Sequence, residues 1–412
     1  MQIAGPLKSL AKGLPGASVC LGRPQPVGTS QMNPILETLR SVAEQPYQRA
    51  IEAKQRGQRV VGTLPMHCPA ELIHAAGALP VLVQELPDPI TSGGGVLPPF
   101  FCGFTRSFVD QVTEGKIAFL DAILFVDHCV QLLSAADVVR VARPETTIHF
   151  HQLIASVEQP WSLDNSVKTL RTFVEDLEEL YGISISEDDL RRSIRLFNEN
   201  RQLIRQLYDL RRSGAIDLSS TQMQAVIKSS MVMDKAEHTA MLRDLLPMLQ
   251  TAGPAKVRKL PLYVSGHMCH APRPEILALI EECGFSIVDD DLYHGYRYVS
   301  TDVDEAIGDP IVGLATAYLT KNRNAPCPTR IAPSVEMSEW LLQRVQASQA
   351  RGLIVLLAKF CEPHYFQYPR IKQQFEQHNL SHLLVETEHE GVPLENLRTK
   401  VESFAEMIKR QG

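Results

Sequence analysis

No CxxC pair occurs anywhere in the sequence, and its eight cysteines (Cys20, Cys68, Cys102, Cys129, Cys269, Cys283, Cys327 and Cys361) are scattered. That spacing argues against a zinc ribbon or a ferredoxin-type cluster, so any metal site must be assembled from distant segments. There is no GxxxxGK[ST] to bind ATP, no GxGxxG following a strand, and no GxSxG nucleophile elbow. Nothing supports a hydrolase triad or a nicotinamide enzyme. No apolar run approaches the roughly 20 residues of a membrane span, and the first residues lack an apolar segment followed by a cleavage site, so a cytoplasmic protein is expected. The net charge is −6 and no basic stripe is present, which makes nucleic acid an unsuitable partner. A CoA ester remains compatible, because its site needs only local donors.

What is present fits a soluble globular protein of two or three domains: 412 residues, 44% of them apolar. Residues 1–31, rich in Gly, Pro and Ser, read as a flexible N-terminal arm. Residues 32–160 read as a first α/β domain. There Asn33-Pro34 opens a helix that closes at Gly57, and strands over 60–63, 79–83, 122–126 and 146–150 alternate with helices. The loop Pro87 to Pro99, with SGGG inside it, reads as long and flexible. Residues 161–255 carry only helical periodicity, with a near capping box at Ser186 to Asp189 and a methionine-rich stretch suited to packing. Residues 256–412 resume the alternation as a second α/β domain. The expected fold class is therefore α/β, with two parallel-sheet domains of Rossmann or flavodoxin type, a helical insertion, and a ligand in the interdomain cleft.

Cys361 stands where the apolar strand Leu353 to Ala358 gives way to a helix. Ligands of open α/β sheets collect at such carboxyl ends, and a helix start favours the thiolate that soft metals need. Cys68, before Pro69, and Cys102, before the RSFVD helix, share this local pattern. Three thiolates meeting in a cleft suit a [4Fe–4S] cluster with one open iron; three unrelated buried thiols are the plain alternative. Cys129, at another strand end, is an additional ligand candidate, with packing as its other role. Cys269, in SGHMCH, makes a weaker metal candidate, and His267 and His270 beside it suit proton donation or CoA contact. Glu71, Glu362 and His364 lie near the ligand corners as candidate acids or positioning groups, although Glu71 equally favours its own helix start. Cys20, Cys283 and Cys327 carry no chemistry readable from sequence.

The blocks HCPAELIHAAGALPV, FCGFTRSFVD, ISEDDLRRSIRLFNENRQLIRQLYDLR and KFCEPHYFQYPRIKQQFEQHNLSHLLVETE, in this order, resemble the benzoyl-CoA reductase and 2-hydroxyacyl-CoA dehydratase family from about Met32 onward. The resemblance implies a catalytic subunit holding one [4Fe–4S] cluster on Cys68, Cys102 and Cys361. It also implies a paralogous partner subunit in a heterodimer, a separate iron–sulfur ATPase that injects electrons, and ketyl-type radical chemistry on a CoA-ester substrate. The missing P-loop agrees with that division of labour. The ending ETEHEGVPLENLRTKVESFAEMI resembles the smaller catalytic subunit of ATP-dependent benzoyl-CoA reductase. A 2-hydroxyacyl-CoA dehydratase subunit, a double-cubane cluster reductase and a non-catalytic electron-relay scaffold are the alternatives.

Overall fold

The computed structural model describes residues 33–255 and 259–411; the expected arm over residues 1–31, with Cys20, lies outside them. Helices α1 (Pro34–Glu44) and α2 (Gln48–Gln55) lead into β1 (Val60–Thr63), α3 (Ala70–Ala75) and β2 (Leu79–Leu82). The single helix expected up to Gly57 is thus two. Pro46 lacks an N–H and clashes with the preceding turn, which ends the first helix, and Gly57 at φ 84° closes the second. A long connection reaches α4 (Gly103–Thr113), followed by β3 (Ala122–Val126), α5 (Val130–Ala142) and β4 (Ile148–His151).

The loop read as flexible is pinned to α4. The Asp110 carboxylate accepts the N–H groups of Thr91 at 2.7 Å and Gly93 at 3.0 Å, and a Cβ at Gly93 would lie 2.7 Å from Asp110 N.

Four helices follow: α6 (Ser162–Tyr181), α7 (Glu187–Arg212), α8 (Ser220–Ser230) and α9 (Lys235–Ala252). The capping box expected at Ser186 is present, with Ser186 and Asp189 each bonding the other's backbone N–H; three acids in the first turn and two arginines in the last match the helix dipole. The chain then runs through β5 (Leu260–Gly266), α10 (Pro274–Glu282), β6 (Phe285–Asp290), α11 (Tyr296–Val299), α12 (Pro310–Asn324), α13 (Met337–Ala347), β7 (Gly352–Ala358), α14 (Glu362–Gln377), β8 (His382–Thr387) and α15 (Leu394–Arg410).

The strands form two four-stranded parallel sheets of the same topology, β2-β1-β3-β4 and β6-β5-β7-β8. Both faces of the second sheet are covered, as a parallel sheet requires. Val264 and Leu356 pack towards α10 and α15, while their neighbours Tyr263 and Val355 pack towards α13 and α14. A larger core joins α1, one face of the first sheet and the helices α7 to α9, and it takes in Met268 beyond β5 and Tyr293 beyond β6. Each fully buried Leu or Phe contributes roughly 1.5–3 kcal/mol.

In each sheet the connections leave in opposite directions from two adjacent strands, β1 and β3 in the first, β5 and β7 in the second. A crevice opens beyond the carboxyl ends of such a pair. Every one of these four strand ends is followed by a cysteine: Cys68, Cys129, Cys269 and Cys361. No helix among the described residues is long and apolar enough to cross a membrane.

Candidate functional site

Cys102, Cys129, Cys269 and Cys361 line one narrow recess, shared with His270 and Gln131, with a free volume of about 30 Å³. Cys129 comes from the first sheet, Cys269 and Cys361 from the second, and Cys102 from the N-cap of α4. All four are free thiols. The backbone at two of these corners is unusual. His267, two residues before Cys269, has φ 42°, and Phe360, directly before Cys361, has φ 64°. Left-handed conformations of such bulky residues persist only where their surroundings enforce them, and they cluster at functional sites. Gly266 is needed for the same turn: at φ 115°, any Cβ there would fall 2.0 Å from the Leu356 carbonyl oxygen.

One side chain ties the corners together. The Gln131 amide oxygen accepts the Cys102 N–H at 2.8 Å, and its nitrogen donates to the Phe360 carbonyl at 2.9 Å. Behind Cys102 lies a charged relay. Glu85, just beyond β2, bonds His270 Nδ1 at 2.5 Å through one oxygen and His389 Nδ1 at 2.8 Å through the other, and His389 Nε2 donates to the Asp88 carbonyl at 2.8 Å.

Electrostatics separate the thiols. Burial pushes Cys129 up to about 12, with the charge of Cys102 adding to the effect, and it raises Cys269 and Cys361 as well. Cys102 goes the other way. Burial pushes its thiol up, but the hydrogen bond and charge of His270, with the Thr105 hydroxyl at 3.2 Å, outweigh burial and hold it below its ordinary value. His270 plays the complementary part: burial would lower it, yet the Glu85 carboxylate and Cys102 bring it up to about 10. At neutral pH the recess therefore contains an imidazolium beside its most acidic thiol.

Of the residues singled out from sequence, the structure brings Cys102, Cys361, Cys129, Cys269, His270 and Glu362 to the recess. Cys68 is not among its lining residues. It packs beside the core under β1, and its thiol is raised by burial and by the Glu71 charge; it shares Tyr293 as a neighbour with Cys269. Glu71 is buried and pairs with Arg201 at 2.7 Å, while its own carbonyl accepts the Ser193 hydroxyl. Burial would raise its carboxyl, but the Arg201 charge and hydrogen bond hold it low, so Glu71 joins α3 to α7 as an anion. His364 is fully buried in the first turn of α14 with both ring nitrogens unpartnered, and burial pushes it down to about 3. Gln131 and Glu85 were not legible from local motifs, and Cys269 stands at a corner like those of the stronger candidates. The signal for Cys269 was its corner, which stands after β5 as Cys361 stands after β7.

Over 86% of its length the chain is 25% identical to the (R)-phenyllactyl-CoA dehydratase beta subunit of Clostridium sporogenes, covering 93% of that protein. It is 26% identical to the lactoyl-CoA dehydratase beta subunit of Anaerotignum propionicum, over 92% of this chain and all of that one. A benzoyl-CoA reductase subunit of Thauera aromatica is 24% identical over 85% of this chain and 91% of its own length. These relatives are named as subunits of enzymes that dehydrate or reduce CoA esters. The model of the family described as 2-hydroxyglutaryl-CoA dehydratase, D-component, matches residues 65–408, most of the chain, and the protein belongs to that family.

Proposed function

We propose that this chain is a cluster-holding subunit of an enzyme that carries out one-electron chemistry on a CoA ester, with reduction of an aromatic acyl-CoA as the leading reaction. The observation that carries this reading is the meeting of four free thiols from two switch points and the α4 N-cap in one recess. The donor set fits an iron–sulfur cluster: the donors are soft, come from both sheets, and form no disulfide. Cys102 and Cys361 are the ligands that face the recess, Cys68 is the third by family resemblance, and Cys129 is an additional candidate. Bound there, a [4Fe–4S] cluster supplies single electrons at low potential.

The chain's own groups prepare the site. Glu85 holds His270 as an imidazolium, whose charge favours the Cys102 thiolate as a ligand. The same imidazolium lines the recess, where it can donate a hydrogen bond to a developing oxyanion of a thioester carbonyl. Gln131 fixes the distance between the Cys102 and Cys361 corners. Phe360 and Pro363 make the wall apolar and limit water. We place the chain beside a paralogous partner subunit in the cytoplasm, with electrons supplied by a separate iron–sulfur ATPase; the naming of the relatives as subunits supports a multi-subunit enzyme.

A second reading is dehydration of a 2-hydroxyacyl-CoA, favoured by the two dehydratase beta subunits at 25% and 26% identity. The test is turnover by the anaerobic complex of this chain with its co-purifying partner, an ATPase activator and ATP. Loss of the aromatic absorbance of benzoyl-CoA supports the reductase. Formation of an enoyl-CoA from (R)-phenyllactyl-CoA or (R)-lactoyl-CoA, with benzoyl-CoA untouched, replaces it with the dehydratase. Turnover of neither overturns both.

A further inference from the structure

Three side chains able to ligate a metal meet beside the recess, of which His128 alone lines it, and none of the four recess thiols is among them. His67, His128 and Cys327 each bring one donor atom to within 4.8 Å of the others. Tetrahedral zinc, with bonds of about 2.0–2.3 Å, spaces its donors roughly 3.3–3.8 Å apart, so each side chain needs to move by no more than about 1 Å. The three residues come from separate places: the loop after β1, the end of β3, and the loop between α12 and α13.

His67 makes ring contacts but no side-chain hydrogen bond among the described residues. Both of its ring nitrogens are shielded from solvent and neither has a hydrogen-bond partner. Shielded imidazole nitrogens without a partner are uncommon and call for an explanation. Its ring instead stands 5.4 Å from that of His128 and edge-on to Tyr318 at 5.5 Å, which fixes its orientation. His128 is 4% exposed and Cys327 5%.

The Cys327 loop is held firmly. Cys327 N–H donates to Asn322 Oδ1 at 2.7 Å, and the buried Arg297 donates to the carbonyls of Ala325, at 2.8 Å, and Pro326. The Thr329 hydroxyl lies 3.1 Å from Cys327 Sγ and 3.4 Å from His128 Nδ1. Arg330, Lys321 and Arg297 are close enough for His67 to feel their charge. A dication bound by two neutral imidazoles alone would be repelled there, so the negative thiolate of Cys327 is the decisive ligand.

We propose that His67, His128 and Cys327 form a mononuclear site for a soft divalent cation, zinc(II), distinct from the thiols of the recess. Binding replaces waters of the hydrated ion by two metal–nitrogen bonds and one metal–sulfur bond, the displaced waters and the Cys327 thiol proton pass to solvent, and one water stays in the fourth position. The ion ties the β1 and β3 corners to the α12–α13 loop. The proposal does not depend on the recess holding iron.

The test is metal content by mass spectrometry on anaerobically purified full-length protein, followed by cobalt(II) titration of the metal-free chain. The expected result is about one zinc per chain in the wild type, and a thiolate-to-cobalt absorption band that Cys327→Ala abolishes while Cys361→Ala and Cys102→Ala retain it. His67→Gln gives an independent reading if Cys327→Ala does not fold, weakening cobalt binding by at least about tenfold. A wild-type chain without a stoichiometric cobalt band, or a band that survives Cys327→Ala or is unchanged by His67→Gln, overturns the site. Iron content in the same samples reports separately on the recess.

Discussion

Gln131 and Phe360 are joined across the two halves of the protein: the Gln131 amide donates to the Phe360 carbonyl at 2.9 Å while its oxygen holds the Cys102 N–H at 2.8 Å. One side chain from α5 thus sets the spacing of two recess thiols carried by α4 and α14. Gln131→Ala leaves a buried N–H and a strained corner carbonyl unpaired, which costs roughly 1–3 kcal/mol. Chemical denaturation should show a lower midpoint with an unchanged slope. Gln131→Glu keeps the acceptor for Cys102 but turns a carboxylate oxygen towards the Phe360 carbonyl, so at neutral pH it should not recover the loss.

Glu85 and His270 make the second prediction. In Glu85→Gln the carboxylate that keeps His270 charged is gone, so the Cys102 thiol should rise. In iron-free protein, alkylation of Cys102 followed by mass spectrometry against pH should show its midpoint moving upward. A shift of one unit is about a tenfold smaller thiolate fraction below the midpoint. An unmoved midpoint would remove His270 from any role in activating Cys102.

Much of this architecture is legible in the sequence, and the reasons differ by element. The apolar run of β7, Cys361 at its end and Pro363 in the first turn of α14 announce a strand, a corner and a helix using neighbours alone. Pro46 was equally visible, yet the amphipathic pattern on both sides of it suggested one continuous helix. The bond between Glu85 and His270 spans 185 residues, and no local pattern encodes such a pairing. Cys269 sits in a turn crowded with histidines, which hid the equivalence of its corner to that of Cys361. The relation of Cys68 to the recess depends on how the β1 corner packs behind Tyr293, a tertiary matter.

Asp290 gives a pH-dependent stability. Burial raises its carboxyl to about 7, against the opposing hydrogen bonds of Tyr296 N–H and the Tyr208 hydroxyl, which donates at 2.7 Å. The folded state therefore binds a proton more tightly than the unfolded chain. This stabilisation is complete below the unfolded value near 4 and is lost as pH rises to about 7, amounting to a few kcal/mol (about 1.4 per unit). Urea unfolding from pH 4 to 8 should show this decline, and Asp290→Asn should flatten it. An unchanged slope in the variant would place the titration elsewhere.

Gly266→Ala should disrupt the β5 corner, because the added Cβ would collide with the Leu356 carbonyl at 2.0 Å in a left-handed conformation. The cost is expected to exceed about 3 kcal/mol, read as a large fall in melting temperature. A variant of wild-type stability would mean that the corner can relax without this glycine.

The most direct measurement is iron and sulfide content with electron paramagnetic resonance on anaerobically purified protein, wild type against Cys68→Ala, Cys102→Ala, Cys361→Ala and Cys129→Ala. The proposal predicts about four irons per chain, lost in the first three variants and kept in the fourth. A chain that stays iron-free after anaerobic reconstitution, or keeps its cluster without Cys102 and Cys361, would contradict it.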